Sequence, residues 1–196
     1  MAKLFIVSAP SGAGKTSLVN AVIAKVNPQH PIARVVTYTT KPQGKAEVPG
    51  VDYHYIGEQE FEAKIAEGFF LEWSDAYGHL YGSPRTVLDQ LAQGFSLFLI
   101  LDRAGSKAVA AKIPEAVLIW IMPPDMHTLE HRLKMRARDN QTTIDYRLLL
   151  ATTELKDEQE QHLFTYQFVN EQFEESCQKL EQIVVCEFDR DNLKNN

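Results

Sequence analysis

The sequence has few cysteines and no apolar run long enough to cross a membrane. Cys177 and Cys186 are the two cysteines among 196 residues, and neither lies in a cluster of further cysteines or histidines. Two are too few for a disulfide framework, and their pattern does not fit a zinc site. We therefore expect ordinary thiols and a cytoplasmic location. The longest apolar runs, Leu97–Leu101 and Val117–Met122, fall far short of the ~20 residues of a membrane helix.

An excess of basic residues is also lacking. The chain has 20 lysines and arginines against 26 aspartates and glutamates, a net charge of -6. This balance argues against a surface that coats nucleic acid and against a polybasic membrane anchor, so we expect neither partner. It does not exclude a phosphate-bearing ligand, because a ligand responds to the charge close to it. The length and the 44% hydrophobic content are typical of one globular domain.

Strands and helices alternate along the chain. Continuous apolar runs at Leu4–Val7, Ser96–Leu101 and Val117–Met122 are typical of strands that are buried on both faces. We also expect a strand over Tyr166–Val169 and helices in six places: up to Asn27, from about Phe61 to Gly68, from Ser83 as N-cap to Gly94, from Asp125 onwards, from about Thr143 to Gln161, and from Glu171 to Val184. This alternation predicts parallel βαβ units and a three-layer α/β fold.

Two segments interrupt the alternation. Residues 37–83 are rich in threonine, tyrosine, glycine and proline, and residues 126–147 carry a cluster of arginines and lysines. We interpret both as excursions from a single domain that spans the whole chain. Its core is expected to consist of residues 1–36, 84–125 and 148–196.

The strongest motif is the stretch APSGAGKT, which begins at Ala9, directly after the first strand. It matches G-x-x-x-x-G-K-[ST] except that Ala9 replaces the first glycine. Gly12 and Gly14 permit a close approach of the backbone to a ligand, and the N–H groups at the start of the helix form an anion site. Lys15 then reaches the terminal phosphates, and the Thr16 hydroxyl can bind Mg²⁺. The predicted ATP-binding residues in this stretch are Ser11, Gly12, Ala13, Gly14, Lys15, Thr16 and Ser17.

An acidic residue, Asp102, follows the apolar strand Ser96–Leu101. Ligands of parallel sheets bind beyond the carboxyl ends of the strands, where a carboxylate can hold Mg²⁺ through water. An aspartate at a strand end is also a common turn residue or helix cap. The phosphate loop favours the metal-binding interpretation, and the cap is the alternative.

Three arginines form the next candidate group. Arg132 and Arg136 are four residues apart and so share a helix face, and Arg147 follows in the same basic segment. Phosphoryl transfer needs cations directed at the charge that spreads over the migrating group, for which the planar guanidinium is suited. We interpret the segment as a lid over phosphates. The alternative is a solvated helix surface.

With these features the sequence resembles the guanylate kinases, which are nucleoside monophosphate kinases of the P-loop NTPase superfamily. The resemblance covers essentially the whole chain. The matching motifs are Ser8–Thr16, Thr39–Pro42, Glu47–Tyr53, Phe70–Trp73, Tyr81–Ser83, Asp102, Arg132 with Leu133 and Arg136, Arg147 with Leu148, and Val169–Glu171. The phosphate loop alone identifies only the superfamily. The Gly-x-Asp-Tyr segment and the Tyr-Gly-Ser that follows Glu-Trp are much more specific.

The resemblance implies transfer of the γ-phosphoryl group of ATP to GMP or dGMP in purine nucleotide metabolism, with Mg²⁺ as cofactor. It is compatible with a monomer or a homodimer. It implies a three-layer P-loop NTPase fold with a parallel core sheet and two excursions. A mixed-β region over residues 37–83 would bind GMP, and a helical lid would span residues 126–147.

The resemblance also assigns roles by position. Thr37, Glu72 and Ser83 would face the guanine, Lys41, Tyr53 and Tyr81 its phosphate, Asn170 would lie near the ATP base, and Lys15, Arg132, Arg136, Arg147 and Asp102 would form the catalytic set. Glu72 fits chemically, because a carboxylate accepts hydrogen bonds from N1–H and N2–H₂ of guanine. Structural alternatives are half-buried strand aromatics for Tyr53 and Tyr81 and a helix cap for Ser83.

Three departures from the family pattern fall on the acceptor side. Lys41 stands where arginine is usual, Gly44 replaces a second arginine, and Ile100 replaces a carboxylate that reads the base. Lys45 and Arg103 are the candidates to replace a missing arginine. We therefore expect weaker GMP binding than is usual in the family, or a relaxed base preference that penalises IMP less.

Two other functions stay open at this stage. One is a kinase of the same fold with an altered acceptor, such as IMP or a ribose bisphosphate. The other is a non-catalytic binding module of guanylate-kinase-like fold. The complete phosphate loop argues against the module, and Glu72 together with Tyr81–Ser83 argues against a ribose bisphosphate.

Overall fold

The structure is a computed structural model that describes residues 2–136 and 140–194. Met1, residues 137–139 of the predicted lid and residues 195–196 lie outside the described residues. The elements in chain order are β1 Leu4–Ser8, α1 Lys15–Val26, β2 Ile32–Arg34, β3 Thr37–Thr39, β4 Tyr53–Tyr55, α2 Glu58–Ala66, β5 Phe70–Ala76, β6 His79–Pro84, α3 Thr86–Ala92, β7 Ser96–Leu101, α4 Arg103–Lys112, β8 Val117–Met122, α5 Met126–Met135, α6 Gln141–Gln161, β9 Tyr166–Val169 and α7 Phe173–Lys194.

The core is a five-stranded parallel sheet with the strand order β2-β7-β1-β8-β9. Its central strands are continuous apolar runs because helices cover both faces of the sheet. Phe5 and Val7 pack on one face with residues of α1 and α7. Leu4 and Ile6 pack on the other face with residues of α3 and α4. The predicted three-layer α/β fold with a parallel core sheet is therefore confirmed.

A second, four-stranded sheet has the order β4-β3-β6-β5. Strands β3 and β4 are parallel, whereas β6 is antiparallel to both β3 and β5, so the sheet is mixed, as predicted. Helix α2 packs against this sheet through Phe61, whose ring stacks on Phe70 at a centroid distance of 4.5 Å. This sheet carries the residues predicted to bind the acceptor.

Helices α5 and α6 pack against each other through a small apolar cluster of Leu129, Leu133, Ile144 and Ala151. As predicted, Asp125 opens α5, and its carboxylate accepts a hydrogen bond from the Thr128 amide at 2.7 Å. Helix α6 is long enough to run from this cluster back to the core. The basic segment is therefore helical where the structure describes it.

Two predicted helix ends are wrong. Ser83 does not cap α3, because β6 continues to Pro84 and the N-cap is Arg85. The Ser83 hydroxyl instead donates to Glu72 across the sheet. Helix α7 extends well beyond the predicted end at Val184, because Val185 and Phe188 continue the apolar stripe that packs on the core.

Two expectations from composition concern cysteine and membrane spans. Cys177 and Cys186 are both free thiols, as predicted. Across residues 2–136 and 140–194, no helix combines the length and the apolar character that a membrane crossing requires.

Candidate active site

The phosphate loop joins β1 to α1 and leaves the first N–H groups of α1 without a side-chain cap. Gly14 is the N-cap, and both Gly12 and Gly14 have a φ of 98°, which favours glycine. A Cβ on Gly14 would lie 2.5 Å from Nδ2 of Asn170, and one on Gly12 would lie 3.0 Å from Leu129 and Leu133. The loop therefore needs glycine both for its backbone angles and for space. It places the first N–H groups of α1, which have no partner within the helix, where an anion is stabilised.

Lys15 folds back over this loop. Its Nζ donates to the carbonyl oxygens of Ala9 at 2.5 Å and Pro10 at 3.5 Å. Burial lowers the pKa of Lys15 to about 8, and the charges of Glu154 and Asp102 oppose that shift. A bound phosphate would supply stronger acceptors than these carbonyls and would favour the charged amine.

The other loop residues lie around the start of α1. Thr16 is half-buried and Ser17 is exposed in its first turn, while Ser11 and Ala13 lie in the loop itself. Asn170 lies opposite and is buried, and its Nδ2 donates to the Ala13 carbonyl at 2.7 Å. Asn170 thus contacts the phosphate loop directly. The prediction placed Asn170 near the ATP base and did not include this contact.

Asp102 is both a helix cap and part of the site. Its Oδ1 accepts from the Gly105 amide at 2.6 Å and caps α4, and its Oδ2 accepts from the Ser74 hydroxyl at 2.6 Å. Its charge also raises the pKa values of Lys15 and Glu72. Asp102 is therefore a helix cap, the alternative to metal binding, and its charge also influences both Lys15 and Glu72.

The three predicted arginines lie around the loop. Arg147 donates from Nη1 to the Ser11 hydroxyl at 2.5 Å. Arg132 donates from Nη2 to the backbone carbonyl of Asn170 at 2.9 Å. The charge of Arg136 lowers the pKa of Lys15. The positive charges of these three arginines therefore lie near the phosphate loop.

On the acceptor side, Glu72 is a buried carboxylate with one oxygen committed. Its Oε1 accepts from the Ser83 hydroxyl at 2.5 Å, while Oε2 has no hydrogen-bond partner within the part of the chain that the structure describes. Burial raises the pKa of Glu72 to about 7, and the Asp102 charge adds to the effect. A Cβ on Gly105 would lie 2.8 Å from Oε2 of Glu72 and 3.3 Å from Oδ1 of Asp102. Glycine here leaves the two carboxylates side by side.

A second acceptor-side group surrounds Glu47. Lys41 Nζ lies 2.6 Å from both carboxylate oxygens, and the Tyr55 hydroxyl and the Gly44 amide donate to Oε2. Burial alone would raise the pKa of Glu47, but these hydrogen bonds lower it to about 2. The Lys41 ammonium also lies 4.7 Å from the ring centre of Tyr53.

The remaining predicted acceptor residues belong to the same sheet. Tyr53 and Tyr81 are half-buried with ring centres 6.0 Å apart, and burial raises the pKa of both hydroxyls. Thr37 is buried in β3 and pairs in register with Tyr53. These positions fit hydroxyls that stay protonated and can donate to a phosphate.

Of the two candidates to replace a missing arginine on the acceptor side, Arg103 is engaged elsewhere, so this prediction is wrong. It is buried against α6, where it pairs with Glu158 at 3.2 Å and donates to Asp157 and Gln161. Lys45, the other candidate, is exposed in the loop between β3 and β4.

Sequence reasoning missed two residues of the site. Glu154 lies two helical turns after Arg147, its Oε2 is buried without a hydrogen-bond partner among the described residues, and burial raises its pKa to about 7. The spacing from Arg147 was the available signal. Tyr77 has no comparable signal, because the residue that its ring contacts, Arg147, is distant in the sequence.

A phosphate loop with arginines near it, and a buried carboxylate–serine pair on an adjoining mixed sheet, on a three-layer α/β fold define a phosphotransferase of the P-loop class. The sequence model described as guanylate kinase matches residues 1–187. The chain belongs to the guanylate kinase family.

Individual relatives agree with this membership. The chain is 38% identical to a guanylate kinase of Idiomarina loihiensis over 188 residues, which cover 95% of this chain and 88% of the relative. It is 41% identical to one of Nitrosococcus oceani over 182 residues, covering 92% and 87%. The crystal structure of guanylate kinase from Anaplasma phagocytophilum superposes with a TM-score of 0.77 at 27% identity, covering 95% of this chain and 86% of that one.

Proposed function

We propose that the protein transfers the γ-phosphoryl group of ATP to the phosphate of GMP, giving ADP and GDP. The observation that carries this proposal is the Glu72 carboxylate, which is buried, bonded to Ser83 through one oxygen and unpartnered among the described residues at the other. Guanine presents two adjacent donors, N1–H and N2–H₂, whereas adenine presents an acceptor at N1. A buried acceptor in this position therefore selects guanine.

The acceptor phosphate needs cationic and hydroxyl donors, which Lys41, Tyr53 and Tyr81 supply. Thr37 and Ser83 complete the pocket around the base. No general base is needed, because the nucleophile is an anionic phosphate oxygen of GMP. That oxygen forms a bond to the γ-phosphorus while the bond from the γ-phosphorus to the bridging oxygen of ADP breaks, and ADP leaves with the electron pair.

Positive charge around the phosphate loop stabilises this transfer. Lys15, Arg132, Arg136 and Arg147 are the cations directed at the loop, and preorganised charges of this kind act on the charge that spreads over the migrating group. The backbone N–H groups of Gly12 to Thr16 hold the ATP phosphates. Asn170 holds that loop in place through Ala13.

The residues also fit Mg²⁺. This cation prefers oxygen ligands and is commonly held by one or two protein oxygens together with substrate phosphates. The Thr16 hydroxyl in the first turn of α1 would bind it directly, and Asp102 would do so through water. When bound, the ion neutralises charge on the β- and γ-phosphates.

A coupled assay of ADP release over a panel of monophosphates tests the proposal. We expect release with GMP and dGMP and none with AMP, and Lys15→Ala serves as the blank. Lys25→Ala is a matched control on the same helix, since Lys25 lies at the surface, where it pairs with Glu181, and it should keep full activity. ADP release no greater than the blank with every acceptor would favour the binding module instead. The cytoplasmic location and a monomeric or homodimeric state stay predictions.

A further inference from the structure

The tip of the β5–β6 hairpin carries a tyrosine where the backbone disfavours it. Ala76 pairs with His79, so Tyr77 and Gly78 form a two-residue turn. Their φ values are 59° and 75°. Turns with two positive φ values favour Asn-Gly, and a tyrosine in the left-handed region is unfavourable. The turn itself does not explain a tyrosine at this position.

The Tyr77 side chain contacts two other parts of the site. The guanidinium of Arg147, on α6, lies 4.6 Å from its ring centre. The hydroxyl of Ser11, in the phosphate loop, lies near the Tyr77 hydroxyl and opposes the rise in its pKa that burial causes. Ser11 also accepts from Nη1 of Arg147 at 2.5 Å. The three side chains therefore form a triangle, with Arg147 in contact with both others, between the acceptor hairpin, the phosphate loop and the basic helix.

This triangle restrains Arg147 in two directions. The ring contact restrains the plane of the guanidinium, and the bond to Ser11 fixes its position along that plane. Tyr77 and Arg147 are both half-buried, and burial raises the pKa of the Tyr77 hydroxyl. Cation–π attraction is stronger where both groups are desolvated.

We propose that Tyr77 is a positioning residue that holds the Arg147 guanidinium over the phosphate loop for phosphoryl transfer. The inference rests on the role of Arg147 proposed above. Tyr77 lies in the turn between two strands of the acceptor-binding sheet. The position of Arg147 therefore depends on the position of that sheet. A misplaced arginine weakens stabilisation of the transferring group more than it weakens binding of either substrate, so the effect falls on kcat.

Substitutions at the turn separate this role from a structural one. Tyr77→Asn supplies the residue that the turn prefers and removes the ring, so we expect thermal stability to be kept or raised while kcat falls about five- to tenfold. Both KM values should change less than threefold. Tyr77→Phe keeps the ring and should restore kcat to within about threefold of the unaltered protein. Asp75→Asn, an exposed change in the same hairpin, is the control and should leave kcat unaltered.

A double-mutant cycle with Arg147→Ala decides the mechanism. If Tyr77 acts through Arg147, Tyr77→Asn has little further effect on kcat in the Arg147→Ala background. An undiminished effect there, or a full kcat for Tyr77→Asn alone, would overturn the inference. Arg147→Ala with unaltered kcat would instead overturn the proposed role of Arg147. If Tyr77→Asn lowers the melting temperature, Tyr77→Gly takes its place in the same cycle, because glycine also suits the turn.

Discussion

The Ser83 hydroxyl donates a hydrogen bond to Oε1 of Glu72, at 2.5 Å, from the neighbouring strand. This bond orients the carboxylate so that Oε2 remains for a ligand, and burial raises the pKa of the group to about 7. The free protein therefore passes between a protonated and an ionised Glu72 near neutral pH. Only the ionised form can accept both donors of guanine.

Lowering the pH from 8 to 6 should therefore weaken GMP capture. The raised pKa means that Glu72 takes up its proton as the pH falls through about 7, so the ionised fraction drops about tenfold over this interval. We expect kcat/KM for GMP to fall about tenfold as a result. The pH profile of Glu72→Gln should lack this component while retaining the titration of the GMP phosphate. Identical profiles for the two proteins would contradict the assignment of Glu72.

Substitution of Lys41 tests the acceptor phosphate site. Lys41 is held by Glu47, so part of its charge is already compensated and a phosphate must share it. Lys41→Ala should raise KM for GMP by about tenfold or more, the value of one charge-assisted hydrogen bond, and leave KM for ATP within twofold. Lys41→Arg should lower KM for GMP, because the guanidinium fork can bind Glu47 and a phosphate together.

Lys45→Ala is the matched comparison for Lys41→Ala in the same loop. Since Lys45 is exposed, we expect little change in steady-state constants for GMP. A rise in KM as large as that of Lys41→Ala would show instead that Lys45 has replaced the arginine absent at Gly44.

Two glycines with positive φ separate backbone strain from steric conflict. Gly94→Ala places a Cβ in open space at a φ of 92°, so unfolding in urea should show a loss of about 1 kcal/mol with unchanged ATP binding. Gly14→Ala adds a contact of 2.5 Å with Asn170. It should cost more stability and abolish ATP binding by calorimetry. Equal losses for both, with ATP still bound, would show that Asn170 does not fix the loop.

The core and the phosphate loop could be predicted from sequence because their signals are local. The runs in β1, β7 and β8 reflect burial on both faces, and the glycine pattern of the loop reflects its backbone. Ser83 was misassigned because a serine before proline and a helical pattern is also the signal of a cap. Its partner Glu72 lies on the neighbouring strand, and a single sequence does not indicate which residues of two strands pair.

The contacts between distant parts of the chain around the site could not be predicted from the sequence. Ser11 and Arg147 are 136 residues apart, and Tyr77 joins them only because the β5–β6 hairpin folds toward the phosphate loop. Glu47 was recognised within a motif, but its hold on Lys41 depends on the path of the loop between β3 and β4. The arginine pair Arg132 and Arg136, by contrast, shared a helix face by spacing alone.

The anchoring of α6 gives the last prediction. Glu158 is buried, pairs with Arg103, and accepts at Oε1 from the Phe164 amide and the Gln167 side chain. Glu158→Gln removes the charge and turns an NH₂ group toward one of these donors. Replacing a buried ion-pair partner in this way should cost about 3 kcal/mol in urea unfolding.

Glu160→Gln on the same helix is the control, because its side chain is 61% exposed and the change should stay within about 0.5 kcal/mol. Since α6 also carries Arg147, the anchored end holds the helix that reaches the phosphate loop. Glu158→Gln should therefore lower kcat as well as stability at temperatures where the protein is still folded. Full stability of Glu158→Gln would mean that Arg103 finds another partner, and that the buried pair does not fix the base of this helix.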